Sequence, residues 1–300
     1  MSATTLLLVN PASRSGNQAL DPVRSVLAEL GPVDFHTPAS PDRLAELIRE
    51  RGPDSARIVL GGGDGTINAA LGALLECGRP LGILPLGTAN DFARSLDLPR
   101  NPQRAARVIA RGETLAVDVA RVNDCPCVNA FGIGFGPETT RQVDAASKLQ
   151  FGITAYLLGV FRTLRRQPAF EARIECDGRS LTGRFFQITV ANGVHYGGGM
   201  TIAHDAQLDN GQLDAVLVPH RNRLLLLPNA LAFRQGHTRA VPDVIHLRGA
   251  SVEIETESAM DVTVDGEFLT TTPVRASVRR RALTVYAPGL GSDGGAAAQD

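Results

Sequence analysis

The chain has 300 residues, 43% hydrophobic and 20% charged, enough for two cores of ordinary globular composition and unlike a disordered or fibrous protein. Its formal net charge of -1 gives no electrostatic reason to expect nucleic acid as a partner, so any anionic ligand must be held locally. The four cysteines, Cys77, Cys125, Cys127 and Cys176, follow neither a disulfide framework nor a zinc spacing, and reduced thiols in a cytoplasm are expected.

The first third alternates short apolar runs with longer helical patterns, as parallel β/α/β layering does. Strands are predicted over residues 5–9, 33–36, 57–60 and 81–84, and helices over 17–30, 42–51, 66–77 and 89–96. That order predicts an N-terminal doubly wound α/β domain over residues 1–112. The apolar run in the first strand is too short for a signal peptide or a membrane span, which again predicts a cytoplasmic protein.

From residue 113 the pattern changes to period-two alternation broken by glycine and asparagine turns, which predicts an antiparallel, β-sandwich-like domain reaching residue 288. A hairpin over 171–176 and 180–190 is predicted to turn at Asp177-Gly178. Further strands are predicted over 213–218, 252–257, 261–264, 274–278 and 283–286. Residues 151–164 are apolar with Arg162, Arg165 and Arg166 at their end, a pattern that suits a helix packed on this domain or one lying on anionic lipid. Residues 289–300, rich in glycine and alanine, read as a disordered tail.

Three turns after predicted strands carry the chemistry. Gly61-Gly62-Gly63-Asp64-Gly65-Thr66 lies between a buried strand and a helix start, where glycines allow close backbone approach and Thr66 is placed to cap the helix. Free N–H groups at such a helix start bind phosphate. Asp64 either caps the helix or faces the phosphates across a divalent cation, because a bare carboxylate would repel them. The second turn is Pro85-Leu86-Gly87-Thr88-Ala89-Asn90-Asp91-Phe92-Ala93, and the third is Asn10-Pro11-Ala12-Ser13-Arg14-Ser15-Gly16. In an open parallel sheet all three would gather at the carboxyl edge. The single lysine, Lys148, is in none of them, so this is not a Walker A loop, and Arg14 either supplies the missing positive charge or is simply solvated.

These turns, with His36-Thr37-Pro38, Asn192-Gly193, Tyr196-Gly197-Gly198-Gly199-Met200, the 208–214 segment and Asp265-Gly266-Glu267, resemble the diacylglycerol kinase catalytic-domain family, which includes bacterial lipid kinases and sphingosine kinases. The resemblance covers nearly the whole chain. It implies a nucleotide-binding domain, a β-rich domain that binds lipid, and an active site in the cleft between them. ATP and Mg²⁺ are the implied cofactors, and a lipid met transiently at a membrane surface is the implied partner. Asn10, Arg14, Thr37, Gly62, Gly63, Gly65, Thr66, Asn68 and Thr88 would hold ATP, and Asp64 would act through Mg²⁺. Glu267 would be the general base, with Asp265 beside it. A structural Mg²⁺ site is implied at Gln207, Asn210 and Gln212, where Asn210 stands at a position usually held by aspartate.

The resemblance implies transfer of the γ-phosphoryl group to the primary hydroxyl of a diacylglycerol-like or sphingoid-like lipid. Phosphoryl transfer needs positioning, charge neutralisation and a carboxylate to take the alcohol proton, and these residue types supply all three. The Gly-Gly-Asp-Gly element alone is equally compatible with a kinase of a soluble acceptor such as NAD, or with a non-catalytic nucleotide- or lipid-binding module.

Overall fold

Runs of five or six uncharged apolar residues can be buried on both faces of a sheet, and the first part of the chain is built on them. The computed structural model describes residues 4–13, 20–134, 168–193, 195–196, 200–201, 207–220, 241, 243–264 and 267–288. The segments 151–164 and 289–300, and residues 17–19 of the first predicted helix, lie outside the described residues. Two compact units are present: residues 4–119 with 280–288, and Ala120–Arg279.

In the first unit β1 (Thr5–Val9), α1 (Leu20–Ala28), β2 (Val33–His36), α2 (Pro41–Arg51), β3 (Arg57–Gly62), α3 (Asp64–Cys77), β4 (Leu81–Pro85), α4 (Asp91–Ser95), α5 (Pro102–Arg111) and the start of β5 (Thr114–Val122) follow one another. β1 pairs in parallel with β2 and β3, and β3 with β4, giving the order β2-β1-β3-β4. The step from β1 to β2 and the step from β3 to β4 run in opposite directions, so right-handed crossovers send α1 and α3 to opposite faces. Packing agrees with this. Val23 and Leu27 of α1 share a core with Ala105, Ala106 and Ile109 of α5, while α2 packs on α3. Leu6, Leu7 and Leu8 of β1 and Ile58 and Leu60 of β3 are fully buried, and burying one such side chain stabilises by about 1.5–3 kcal/mol.

The second unit holds β6 (Cys125–Cys127), β7 (Ala130–Ile133), β8 (Phe170–Cys176), β9 (Arg179–Ala191), the short β10 (His195–Tyr196) and β11 (Met200–Thr201), β12 (Leu213–Pro219), β13 (Ile245–Gly249), β14 (Ser251–Thr256), β15 (Asp261–Val264), β16 (Glu267–Thr271) and the first part of β17 (Val274–Tyr286). β9 is its hub, pairing antiparallel with β8, β12 and β7. The expected hairpin is present. Asp177 and Gly178 both take positive φ, 45° and 81°, which is the mirror-image turn that matches strand twist. The Asp177 carboxylate then accepts N–H groups from Ala250 (2.8 Å) and Ser251 (2.9 Å), and these bonds hold its pKa below the usual aspartate value.

Several sequence expectations need correction. The helix predicted over 17–30 is described from Leu20 and ends at Ala28, and α5 was not expected at all. The buried positions of α5, Ala105, Ala106, Val108 and Ile109, alternate with arginines around the helix, so the amphipathic signal for this helix is present in the sequence. The strands predicted over 274–278 and 283–286 are one strand, β17, which passes through Arg281 at φ 49°. Residues 113–119 and 280–288, given to the β domain by their alternation, fall in the first unit, because alternation reveals a strand and not the sheet it joins.

Candidate functional site

β1 and β3 are neighbours whose following helices leave to opposite faces, and open α/β sheets bind ligands beyond the carboxyl ends of such a strand pair. Asn10 closes β1 there. Its N–H donates to Gly61 O (2.9 Å), its Oδ1 accepts the Ala12 N–H (2.9 Å), and its Nδ2 donates to Thr66 Oγ1 (3.0 Å). The turn after β1 is thereby tied to the first turn of α3.

That helix starts earlier than the sequence suggests. Gly63 is its N-cap in an extended conformation, Asp64 is its first residue, and no side chain caps it. Thr66, expected to cap, is buried inside the first turn with its hydroxyl engaged by Asn10. A Cβ on Gly62 would stand 2.4 Å from Thr66 Oγ1, so packing alone demands glycine at that position. Gly65 is different. It is exposed, a Cβ there would meet nothing within 4 Å, and its N–H has no partner among the described residues. The positive end of a 14-residue helix therefore opens at Gly65, and it fits an anionic oxygen.

The turn after β4 is pressed against this one. A Cβ on Gly87 would lie 2.5 Å from the Cα of Gly63, so the two turns meet backbone to backbone. Asn90 takes the left-handed conformation (φ 52°) and folds back on Gly87, accepting its N–H (3.0 Å) and donating to its carbonyl (2.9 Å). Although Asn90 is the N-cap of α4, its side chain is spent on Gly87 and makes no cap bond. Asp64 supplies the missing cap, its Oδ2 accepting the Asp91 N–H and its Oδ1 the Phe92 N–H, both at 3.0 Å. The carboxylate thus caps the neighbouring helix and not its own.

Asn10, Gly62, Gly63, Asp64, Gly65 and Thr66 are brought together with the Gly87–Phe92 turn. Thr37 and Thr88 are exposed near strand ends, Asn68 is half-buried in α3, and Arg14 lies outside the described residues. Asn90, with Asp91 and Phe92 as capped residues, was not singled out from the sequence as part of the brace. An Asn-Asp pair just ahead of a helix is a cap signal that could have marked it.

In the second unit Glu267 opens β16 opposite Val264, and Asp265 and Gly266 lie outside the described residues. Glu267 is exposed, and so is its neighbour Phe268. Gln207 and Gln212 are exposed, Asn210 Oδ1 accepts the Gln212 N–H (2.8 Å), and Asp214 pairs with Arg248 (2.7 Å). At 207, 210 and 212 the segment offers neutral amides. Among the described residues no group of three or more His, Cys, Asp or Glu is placed to hold a metal. Mg²⁺ commonly keeps several waters and takes one or two carboxylates plus substrate phosphates, a demand that the Asp64 carboxylate beside the open helix start at Gly65 fits.

Residues 4–122 match the family model described as the diacylglycerol kinase catalytic domain, and residues 130–287 match the YegS C-terminal NAD kinase beta sandwich-like domain. A Chromohalobacter salexigens protein named "Probable lipid kinase YegS-like" is 34% identical over 251 residues, covering 82% of this chain and 80% of its own. The diacylglycerol kinase of Staphylococcus carnosus is 28% identical over 270 residues, covering 88% of each chain. A crystal structure of a diacylglycerol kinase from Bacillus anthracis str. Sterne is similar with a TM-score of 0.81 at 28% identity, over 96% of this chain and 97% of that one. With both models matched in tandem and a lipid-kinase relative at 34% identity, the chain belongs to the diacylglycerol kinase family of phosphotransferases.

Proposed function

We propose that the chain transfers the γ-phosphoryl group of ATP, with Mg²⁺, to the primary hydroxyl of a diacylglycerol-like or sphingoid-like lipid. Membership of a kinase family implies ATP as the donor, and the names of the relatives support a lipid as the acceptor. The observation that carries the proposal is the open start of α3 at Gly65, held between the turns after β1 and β4 by Asn10 and Asp64.

The Gly65 N–H and the positive end of α3 bind phosphate oxygen, and Gly65 leaves room for it to approach the backbone. Asn10 keeps Thr66 and the first turn of α3 in place. Asp64 holds the β4 turn, so Thr88 is presented from a fixed loop. Mg²⁺, when bound, neutralises phosphate charge, and the Asp64 carboxylate is what this chain would offer it. Glu267 accepts the proton of the attacking hydroxyl at its carboxylate, while the lipid oxygen bonds to phosphorus and ADP leaves. Gln207, Asn210 and Gln212 are assigned to a second, structural Mg²⁺.

The test is a radiolabelled ATP assay over a panel of lipids dispersed in detergent, with NAD as a soluble acceptor. Labelling of a lipid with a primary hydroxyl and not of NAD is expected. Labelling of NAD with no lipid labelled would replace the proposal by its soluble-acceptor rival.

A further inference from the structure

Two amphipathic helices of the first unit carry exposed arginines, and they treat them differently. On α2, Arg43 pairs with Glu46 and Glu50, Arg49 with Glu76, and Arg51 with Asp34. On α5, Arg104, Arg107 and Arg111 recur at i, i+3 and i+7, which places them along one stripe of the helix. All three are exposed, and none has an ion pair among the described residues. Arg100, just ahead of the helix, is exposed and unpaired as well. The opposite side of α5 is buried through Ala105, Ala106, Val108 and Ile109, so the stripe is fixed outward.

Helix stability accounts for Arg111, which lies in the last turn, but not for the whole stripe. The first turn of α5 has no acidic residue and carries Arg104 at its positive end, where a cation is unfavourable. Glu29, just after α1, shares a groove with Arg107 and Arg111 yet makes no ion pair with either. A chain of net charge -1 therefore concentrates uncompensated positive charge on one rigid face.

We propose that this α5 face docks the protein on an anionic phospholipid bilayer. Charge complementarity asks for an extended anionic partner. The lipid-kinase function proposed above, on which this choice of partner rests, requires the protein to meet its acceptor at a bilayer surface. No described helix is long and apolar enough to cross a membrane, so contact through a surface face is what the described elements offer. Arginines near an anionic surface act additively, each worth about a fivefold gain in association, and the effect is screened by salt.

The full chain is sedimented with vesicles of phosphatidylcholine alone, and with vesicles of phosphatidylcholine and phosphatidylglycerol in equal parts. Salt-sensitive binding to the anionic vesicles only is expected. The triple variant Arg104→Gln, Arg107→Gln, Arg111→Gln should bind them on the order of a hundredfold more weakly, and the Arg→Lys triple variant should bind like the parent. Labelling of detergent-dispersed lipid should be the same in all three proteins, and an unchanged thermal midpoint shows that the variants fold. Equal vesicle binding by the Gln variant would overturn the proposal. So would failure of the parent to bind anionic vesicles while it binds RNA or an acidic protein. Absence of labelling of any lipid in detergent would count against the lipid-kinase function itself, a result separate from vesicle binding.

Discussion

The carboxylate of Asp64 receives the backbone N–H of Phe92 at 3.0 Å, so the first residue of α3 fixes the start of α4. Removing its charge weakens two hydrogen bonds to backbone donors, and bonds to a charged acceptor contribute about 1.5–3 kcal/mol each. Asp64→Asn keeps one acceptor oxygen and turns an NH₂ toward the other N–H. Stability should fall by about 1–3 kcal/mol in a denaturant titration. Nucleotide affinity should fall with and without Mg²⁺, because the brace is lost together with the charge. A loss of affinity confined to Mg²⁺-containing buffer would assign Asp64 to the metal alone.

Gly65 and Gly87 should respond in opposite ways to alanine. Gly65→Ala adds a methyl group in open space within a helix, so stability should stay level or rise by up to about 1 kcal/mol. ATP affinity should nonetheless drop roughly tenfold, since the methyl group occupies the approach of the phosphate. Gly87→Ala forces the two turns apart and should destabilise by about 1–3 kcal/mol. Calorimetry of nucleotide binding next to thermal melts separates the two effects.

Glu267→Gln preserves shape and removes the proton acceptor. A positioned carboxylate base contributes about 10² to 10⁴-fold, so kcat should fall within that range while ATP binding changes little. Near-parental kcat would exclude Glu267 as the base and direct attention to Asp265.

Asp177 gives a pH signature. Its folded pKa is lowered by the Ala250 and Ser251 N–H groups, so its contribution is present above the unfolded aspartate pKa and lost as pH falls through the folded one. Asp177→Asn keeps the left-handed turn, which suits asparagine, and removes the charge. The parent should be the more stable at neutral pH, and the gap should close in acid below the ordinary aspartate range. A gap of constant size from neutral to strongly acidic pH would refute the assignment.

Asn210→Asp adds charge where the 207–212 segment now offers amides. Activity measured against Mg²⁺ concentration should saturate at lower Mg²⁺ in the variant. An unchanged curve would remove the second metal from the proposal.

Much of the first unit was legible because uncharged apolar runs such as Leu6-Leu7-Leu8 have one use in a soluble domain, and because glycine clusters mark where strands give way to turns. The open helix start at Gly65 was legible for the same reason. What each glycine serves was not. Gly62 yields to Thr66, Gly87 yields to Gly63, and of these three Gly65 alone faces open space, a distinction that emerges once the chain has folded and turns more than 20 positions apart have met. The capping role of Asp64 was hidden likewise, since its partners lie 27 and 28 residues away. Residues 113–119 alternate like the strands of the second unit yet fall in the first, because a strand pattern carries no address.

β17 begins in the second unit and ends in the first, where Val285 pairs with Leu81 and the Tyr286 hydroxyl accepts a hydrogen bond from Arg57 (3.3 Å). Counted along the ribosome's direction of travel, the first unit is therefore finished last. While the second unit is being synthesised, β4 keeps an unpaired edge, and that edge is filled only when residues 280–286 emerge. A nascent chain halted at residue 279 carries every described strand of the second unit up to that point, yet its nucleotide-binding sheet still lacks a strand.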